Sequence, residues 1–216
     1  MTGRLVSWVL VVALFGSVAL WVPKAGQLRA PGNQQGYEPD QPIAFSHRLH
    51  AGELGVDCLY CHWGAEKSRH AGIPGASVCM NCHRFVMAPW GAVRAEDEAA
   101  QKQNRKPKPV VSPELAKLYR ALGLAADGTL ARVGEPQPIA WVRVWRLPDF
   151  VFFDHRPHVA AGVSCQTCHG PVETMERMRL VRDLAMGWCV NCHRQKRETG
   201  AGTVLEARTD CAVCHF

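Results

Sequence analysis

Ten cysteines in a chain of 216 residues would ordinarily point to a disulfide framework. Here they fall as five pairs at one spacing: Cys58/Cys61, Cys79/Cys82, Cys165/Cys168, Cys189/Cys192 and Cys211/Cys214. Each pair is followed at once by a histidine, namely His62, His83, His169, His193 and His215. No cysteine is left over. A zinc ribbon uses paired cysteines without demanding a histidine directly after each pair, and a thioredoxin-like redox site has one pair rather than five.

C-x-x-C-H is the attachment signature of c-type haem. Two thiols three residues apart lie on one side of a turn and add to the two vinyl groups of one porphyrin, while the adjacent histidine reaches the iron from beneath. Five such motifs that consume every cysteine predict five covalently bound c-type haems. This reading also changes the meaning of the charge. A formal net charge of +6 would by itself suggest nucleic acid or anionic lipid as a partner. Each ferric haem adds two propionates and about one positive charge at its centre, so five shift the total by about −5. The basic residues, Arg69, Arg84, Arg143 and Arg194 among them, then read as propionate partners and solvated surface, and no nucleic-acid partner is expected.

The N-terminus carries the second feature. From Leu5 to Val22 run 18 residues without a charge, and as a helix they would span roughly 27 Å, close to a bilayer core. No A-x-A-like cleavage site follows before Pro23 and Lys24. The expectation is a retained single-pass anchor over 1–24 in the cytoplasmic membrane. Because c-type haem is attached outside that membrane, the haem domain is expected on the periplasmic side. Residues 25–42, rich in Gly, Pro, Gln and Asn, read as an extended tether.

Residues 43–216 contain a duplication. Phe45-Ser-His47-Arg-Leu-His50 recurs as Phe153-Asp-His155-Arg-Pro-His158, displaced by 108 residues, and the two following C-x-x-C-H motifs recur at displacements of 107 and 110. Two halves, about 43–90 and 150–216, each carry an F-x-H-x-x-H element and two attachment sites, with a fifth site at the C-terminus. Between them lies an insert, 91–149. Within it Ser112 as N-cap, Pro113 at the first helical position and Gly123 near the end predict a helix. "IAWVRVWRLP" predicts a short strand stopped by Pro148, and "EDEAAQKQNRKPKPVV" a solvated loop.

Five histidines lie outside the attachment motifs: His47, His50, His70, His155 and His158. Five irons therefore meet five spare histidines. Two imidazoles three residues apart on a helical turn are only about 5–6 Å apart at Cβ, so they cannot occupy the free face of one iron together. Each H-x-x-H element must serve two irons. Five six-coordinate irons leave no open position for O₂ or nitrite, and electron transfer remains. Axial ligands and burial would tune the potentials.

The F-x-H-x-x-H and C-x-x-C-H pattern resembles the cytochrome c3/c7 class. The stretches "FSHRLHAGELGVDCLYCHWGAEKSRHAGIPGASVCMNCH", "WVRVWRLPDFVFFDH", "MGWCVNCHR" and "TDCAVCH" look like the pentahaem subunit of alternative complex III, a bacterial quinol:electron acceptor oxidoreductase. The resemblance covers about Ile43 to Met87 and Ile139 to His215. It implies a mostly α and irregular fold, a duplicated c3/c7-like multihaem cytochrome c with one N-terminal transmembrane helix and little regular β. It also implies iron–sulfur and quinol-binding membrane subunits as partners, and a monohaem cytochrome c or other soluble acceptor. Two other functions fit the residues: a membrane-anchored multihaem quinol dehydrogenase that oxidises quinol itself, and a free c3-like carrier. Nearness in sequence together with the resemblance assigns His47 to the haem of Cys58/Cys61, His70 to that of Cys79/Cys82 and His155 to that of Cys165/Cys168. His50 and His158 then reach across to other haems, those of the second half and the C-terminal site included. The counterpart of His70 in the duplication is Met178, so Met175 or Met178 is the alternative ligand for the haem of Cys189/Cys192.

Overall fold

The computed structural model describes residues 2–25, 34–195, 197–198 and 204–215. Helix α1 runs from Thr2 to Ala25. Short helices follow: α2 Cys58–Cys61, α3 Gly64–Lys67, α4 Ala76–His83, α5 Trp90–Lys102, α6 Pro113–Ala121, α7 His155–Ala160, α8 Cys165–His169 and α9 Met186–His193. A π-helical turn spans Arg48–Glu53, and 3₁₀ turns span Val172–Thr174 and Cys211–Val213. Strands β1 (Arg197–Glu198) and β2 (Val204–Leu205) pair antiparallel. Little regular β is present among the described residues, in keeping with a mostly helical and irregular multihaem fold.

Every attachment pair sits on a helical turn, which puts its two sulfurs on one side. Local capping helps to fix these short helices. Asp57 Oδ1 accepts a bond from Leu59 N at the start of α2, at 2.7 Å, satisfying an N-terminal donor that a four-residue helix cannot bond internally. The buried apolar core among the described residues is small: Ala65, Ala88, Ala100, Leu118, Tyr119, Val144, Met175 and Leu180.

The two halves are interlocked. The most extensive packing joins the π-helical turn of the first half to the Val172–Thr174 turn of the second, and α3 of the first half to α7 of the second. These two contacts correspond under the 108-residue displacement, which carries 64–67 onto 172–175. In the first, Arg48 N donates to the Met175 carbonyl at 2.9 Å, and Arg48 pairs with Glu176 at 2.5 Å. A Cβ on Gly52 would fall on the Glu173 carbonyl oxygen. In the second, His155 N donates to the Arg69 carbonyl at 3.3 Å. Each half thus rests its histidine-bearing turn on the segment that follows the other half's first attachment site.

The expected helix in the insert forms as α6. Ser112 Oγ accepts from Leu115 N at 3.3 Å, and Gly123 takes φ +69° just beyond its end, a conformation that favours glycine. Tyr119, fully buried, donates its hydroxyl to the His83 carbonyl at 2.6 Å and so ties the insert to the second attachment site.

Three expectations are corrected. The supposed loop from Glu96 is helical as far as Lys102, within α5. Ala100 is buried there, and Glu96 is clamped by Arg105 at 2.5 Å and by Lys108 N at 2.8 Å, so folding back of the basic segment stabilises the helix. The expected strand around 139–147 is extended but unpaired with any strand. The Gln41 side-chain amide serves as its partner, donating to the Val142 carbonyl and accepting from Val142 N, both at 2.9 Å. The end of the expected tether is docked: Gly36 N donates to the Leu180 carbonyl, Leu180 N to the Tyr37 carbonyl at 2.9 Å, and Arg177 pairs with Glu38 at 3.5 Å and with Asp40. Residues 26–33 lie outside the described residues.

Where the anchor is expected the chain forms helix α1, but a membrane span is not borne out. Its described side chains, Val6 to Val18, are exposed and almost all apolar, Trp8 at 70% and Phe15 at 69% among them. These 13 residues are shorter than the 18-residue sequence span, and among the described residues no helix is long and apolar enough to cross a membrane.

Candidate haem centres

Histidine rings face each other in four pairs. His47 and His62 have ring centres 6.5 Å apart with planes 9° from parallel, and His155 and His169 repeat this at 6.4 Å and 6°. His50 faces His83 at 6.0 Å, and His158 faces His193 at 5.9 Å. Each pair joins one histidine of an attachment motif to one from an F-x-H-x-x-H element. A metal–imidazole bond of about 2.0–2.1 Å plus about 1.1 Å from nitrogen to ring centre, taken on both sides, gives a separation of about 6.3 Å. The four spacings therefore fit a metal held between two imidazoles. Among the described residues no group of three or more His, Cys, Asp or Glu side chains converges as for a bare ion. Two axial imidazoles beside a pair of cysteines are the donor set of a haem c.

Ring orientation supports the same reading. The Nδ1–H of His62 donates to the Gly72 carbonyl at 2.7 Å, that of His83 to Val86 at 2.7 Å and that of His193 to Arg208 at 2.8 Å. His50 Nδ1 donates to the Ser46 carbonyl at 2.8 Å and His158 Nδ1 to Asp154 at 2.7 Å, four residues back in each case. His155 Nδ1 donates to the Arg69 carbonyl at 2.9 Å, and His215 Nδ1 lies 3.3 Å from the Phe150 carbonyl. A backbone acceptor at Nδ1 fixes the tautomer and leaves Nε2 as the metal-binding atom. The phenylalanine of each F-x-H-x-x-H element holds both rings. Phe45 meets His47 edge-on at 4.9 Å and stacks on His50 at 4.3 Å, and Phe153 does the same for His155 and His158 at 4.8 and 4.7 Å.

The first sites of the two halves are the most enclosed. Burial lowers His47 to about 4, with smaller contributions from His62, His50 and His169. Burial likewise lowers His169 to about 4, followed by His155 and His62. A neutral imidazole is the form that binds iron. His47 Nδ1 and Trp145 Nε1 are buried without a hydrogen-bond partner, and the Trp145 ring meets His169 edge-on at 4.6 Å. An unsatisfied indole N–H beside a ligand histidine suits a group that brings its own acceptors, as haem propionates do. All ten cysteines are unbridged. Burial raises the thiols of Cys61, Cys79, Cys168 and Cys189 above the ordinary value, and Cys58 rises through burial and then through contact with Cys165.

The ring pairs do not all match the sequence-based assignments. His47 with His62 and His155 with His169 are as expected. His70 is exposed and does not face His83; His50 takes that place because it lies one turn after His47 on the same element. His158 likewise stays within its half at His193, and Met175 is buried in the core. Arg69, expected at a propionate, is a structural clamp: its Nε donates to the Phe153 carbonyl at 3.1 Å and its guanidinium lies 4.4 Å over the Phe152 ring. Arg143 Nε is used on the Trp145 carbonyl at 2.8 Å.

Thiols of neighbouring motifs come close to one another. Cys82 is exposed where its motif partner Cys79 is half-buried, and it lies near Cys61 of the preceding motif, whose thiol it helps to raise after burial. Cys192, half-buried, stands near Cys168 of the preceding motif in the same way. The H-x-x-H element draws both sites of its half against one turn. Each of these cysteines sits in the last turn of its helix: the Cys82 carbonyl accepts from Phe85 N at 2.9 Å and Val86 N at 3.0 Å, and the Cys192 carbonyl from Gln195 N at 3.1 Å.

Fold and site together define a multihaem cytochrome c electron-transfer protein. Residues 151–216 match the sequence profile described as cytochrome c7 and related cytochrome c, so this part of the chain is cytochrome c7-like and carries c-type haem. Over 198 residues, 82% of this chain and 78% of the other, it is 24% identical to the "Menaquinone reductase, multiheme cytochrome c subunit" of Nitratidesulfovibrio vulgaris (strain Hildenborough).

Proposed function

We propose that this chain is an electron-transfer subunit on the outer face of the cytoplasmic membrane, carrying electrons through five covalently bound c-type haems between quinone chemistry in partner subunits and a cytochrome c or similar soluble acceptor. The observation that carries the proposal is the set of four facing imidazole pairs. With both axial positions filled the iron has no site for substrate, and a bound haem supplies a one-electron couple. Each F-x-H-x-x-H element ties the two sites of its own half together. The Cys58 thiol lies close enough to Cys165 to be raised by it, which brings the first sites of the halves together. His193 is bonded to Arg208, three residues before the C-terminal motif. These links support one row of sites in the order Cys79/Cys82, Cys58/Cys61, Cys165/Cys168, Cys189/Cys192, Cys211/Cys214.

The partners follow from the resemblance to the alternative complex III subunit and from the relative's name, both of which concern a quinone-linked complex. We assign the chain to such a complex, with iron–sulfur and quinol-binding membrane subunits, and take electrons to flow from quinol towards the acceptor. The name of the relative favours the opposite direction, towards menaquinone, as the second reading. The uncharged span Leu5–Val22, helical throughout, supports a retained single-pass anchor.

Affinity purification of the tagged protein in mild detergent is the test. Co-purification of large membrane partners and an intact mass with five haem additions are expected. Absence of partners would overturn the complex in favour of a free carrier. Fast, inhibitor-sensitive reduction of the isolated chain by a menaquinol analogue would favour the self-sufficient quinol dehydrogenase. A mature N-terminus beyond Val22 would overturn the anchor.

A further inference from the structure

The four facing pairs use eight of the ten histidines. His215 and His70 remain. We propose that His70, from the first half, is the axial ligand opposite His215 on the iron of the C-terminal Cys211/Cys214 site, which rests on the reading of the C-x-x-C-H motifs as haem attachment sites.

The interlocking of the halves is what delivers His70 there. Segment 64–70 of the first half lies against the histidine-bearing turn of the second, and residues 172–178 lie against that of the first. His70 is therefore handed to the second half and its counterpart Met178 to the first.

The C-terminal site is fastened to the stretch that Arg69 grips. His215 forms a β-bridge with Val151, and Phe152 N donates to the Cys214 carbonyl at 2.7 Å. From the other side, Arg69 donates to the Phe153 carbonyl and covers the Phe152 ring. His70 follows Arg69 directly, so one four-residue stretch, 150–153, connects the only unpaired histidine of an attachment motif with the only unassigned spare histidine.

The asymmetry of the duplication agrees. Displaced by 108, Cys211, Cys214 and His215 correspond to Gln103, Lys106 and Pro107, so the first half has no third attachment site. The half that receives the extra histidine has an extra iron to bind. The half without one receives a methionine, which is half-buried.

The test uses the full-length holoprotein with haem attached in the cell. In the oxidised wild type, low-temperature near-infrared magnetic circular dichroism should show bis-imidazole bands, and intact mass should give five haems. A lower haem count would overturn the underlying reading itself. With five haems present, H70M should convert about one fifth of the bis-imidazole intensity into a methionine-type band, and H70A should convert the same share to high spin. Met178→Leu should change nothing. In a four-haem protein carrying Cys211→Ala and Cys214→Ala, adding H70A should leave the spectrum unchanged. The proposal is overturned by five bis-imidazole haems in H70A, by loss of one such haem in Met178→Leu, or by a spectral change from H70A in the four-haem background. That last comparison also decides the matter if H70A alone accumulates poorly.

Discussion

The F-x-H-x-x-H elements of the two halves place their rings almost identically, yet their surroundings differ. Phe45 and Phe153 hold their histidines at nearly the same distances and angles, and the His50 and His158 Nδ1 bonds, four residues back, agree within 0.1 Å. The first element is a π-helical turn in which Ser46 Oγ accepts from Leu49 N at 3.1 Å, whereas the second is an α-helix capped by Asp154, which accepts from Arg156 N at 2.9 Å. His155 Nδ1 has a carbonyl partner, and His47 Nδ1 has none. Ring position is the same in both halves, as a shared ligand role would require, while the hydrogen bonding behind the rings differs between them.

The largest effect should come from removing one of these rings. His47→Ala and His155→Ala should each convert about one fifth of the low-spin signal to high spin in electron paramagnetic resonance, with haem content unchanged, and each affected couple should shift upward within the roughly 0.8 V range that axial ligands span. A smaller effect compares the two sites in the intact protein. An Nδ1–H bond makes an imidazole a stronger donor, and each site has one such bond, on His62 at Cys58/Cys61 and on His155 at Cys165/Cys168, so the two couples should lie close together; potentiometric titration of the two variants identifies each couple, and a wide separation would break the comparison.

The packing between the halves gives the next prediction. Gly52→Ala would drive a methyl group into the Glu173 carbonyl and should cost about 1–3 kcal/mol by thermal unfolding. The corresponding position in the second half is already Ala160 and should tolerate serine with a far smaller change. In the insert, Ser112→Ala removes the cap of α6 and should cost about 1 kcal/mol without altering haem spectra.

The smallest effect is one of pH. Hydrogen bonding from Arg105, followed by that from Lys108 N, lowers the Glu96 carboxyl from 4.5 to about 2. The folded state thus favours the ionised form. Its contribution to stability should be complete above about pH 4.5 and lost as pH falls through about 2, and Glu96→Gln should flatten that part of the acid denaturation profile.

Much of the candidate site is legible in the sequence because its chemistry is written locally. The C-x-x-C-H motifs define the attachment turns over five residues, the H-x-x-H spacing requires two irons per element, and Ser112-Pro113 starts a helix wherever it packs. The strand and loop expected in the insert fail because their partners lie elsewhere: the Gln41 side chain, 101 residues from Val142, and Arg105, folded back onto Glu96. The same reason limits the ligand assignments. Nearness in sequence points His70 to the site of Cys79/Cys82, yet His50 fills that place because Phe45 orients both rings of one turn. Haem chemistry, the duplication and the number of spare histidines follow from the residues alone. Which ring faces which, the docking of residues 34–40 on the second half and the reciprocal exchange of segments between halves are decided by tertiary structure, because they depend on packing between residues about a hundred positions apart that no local spacing encodes.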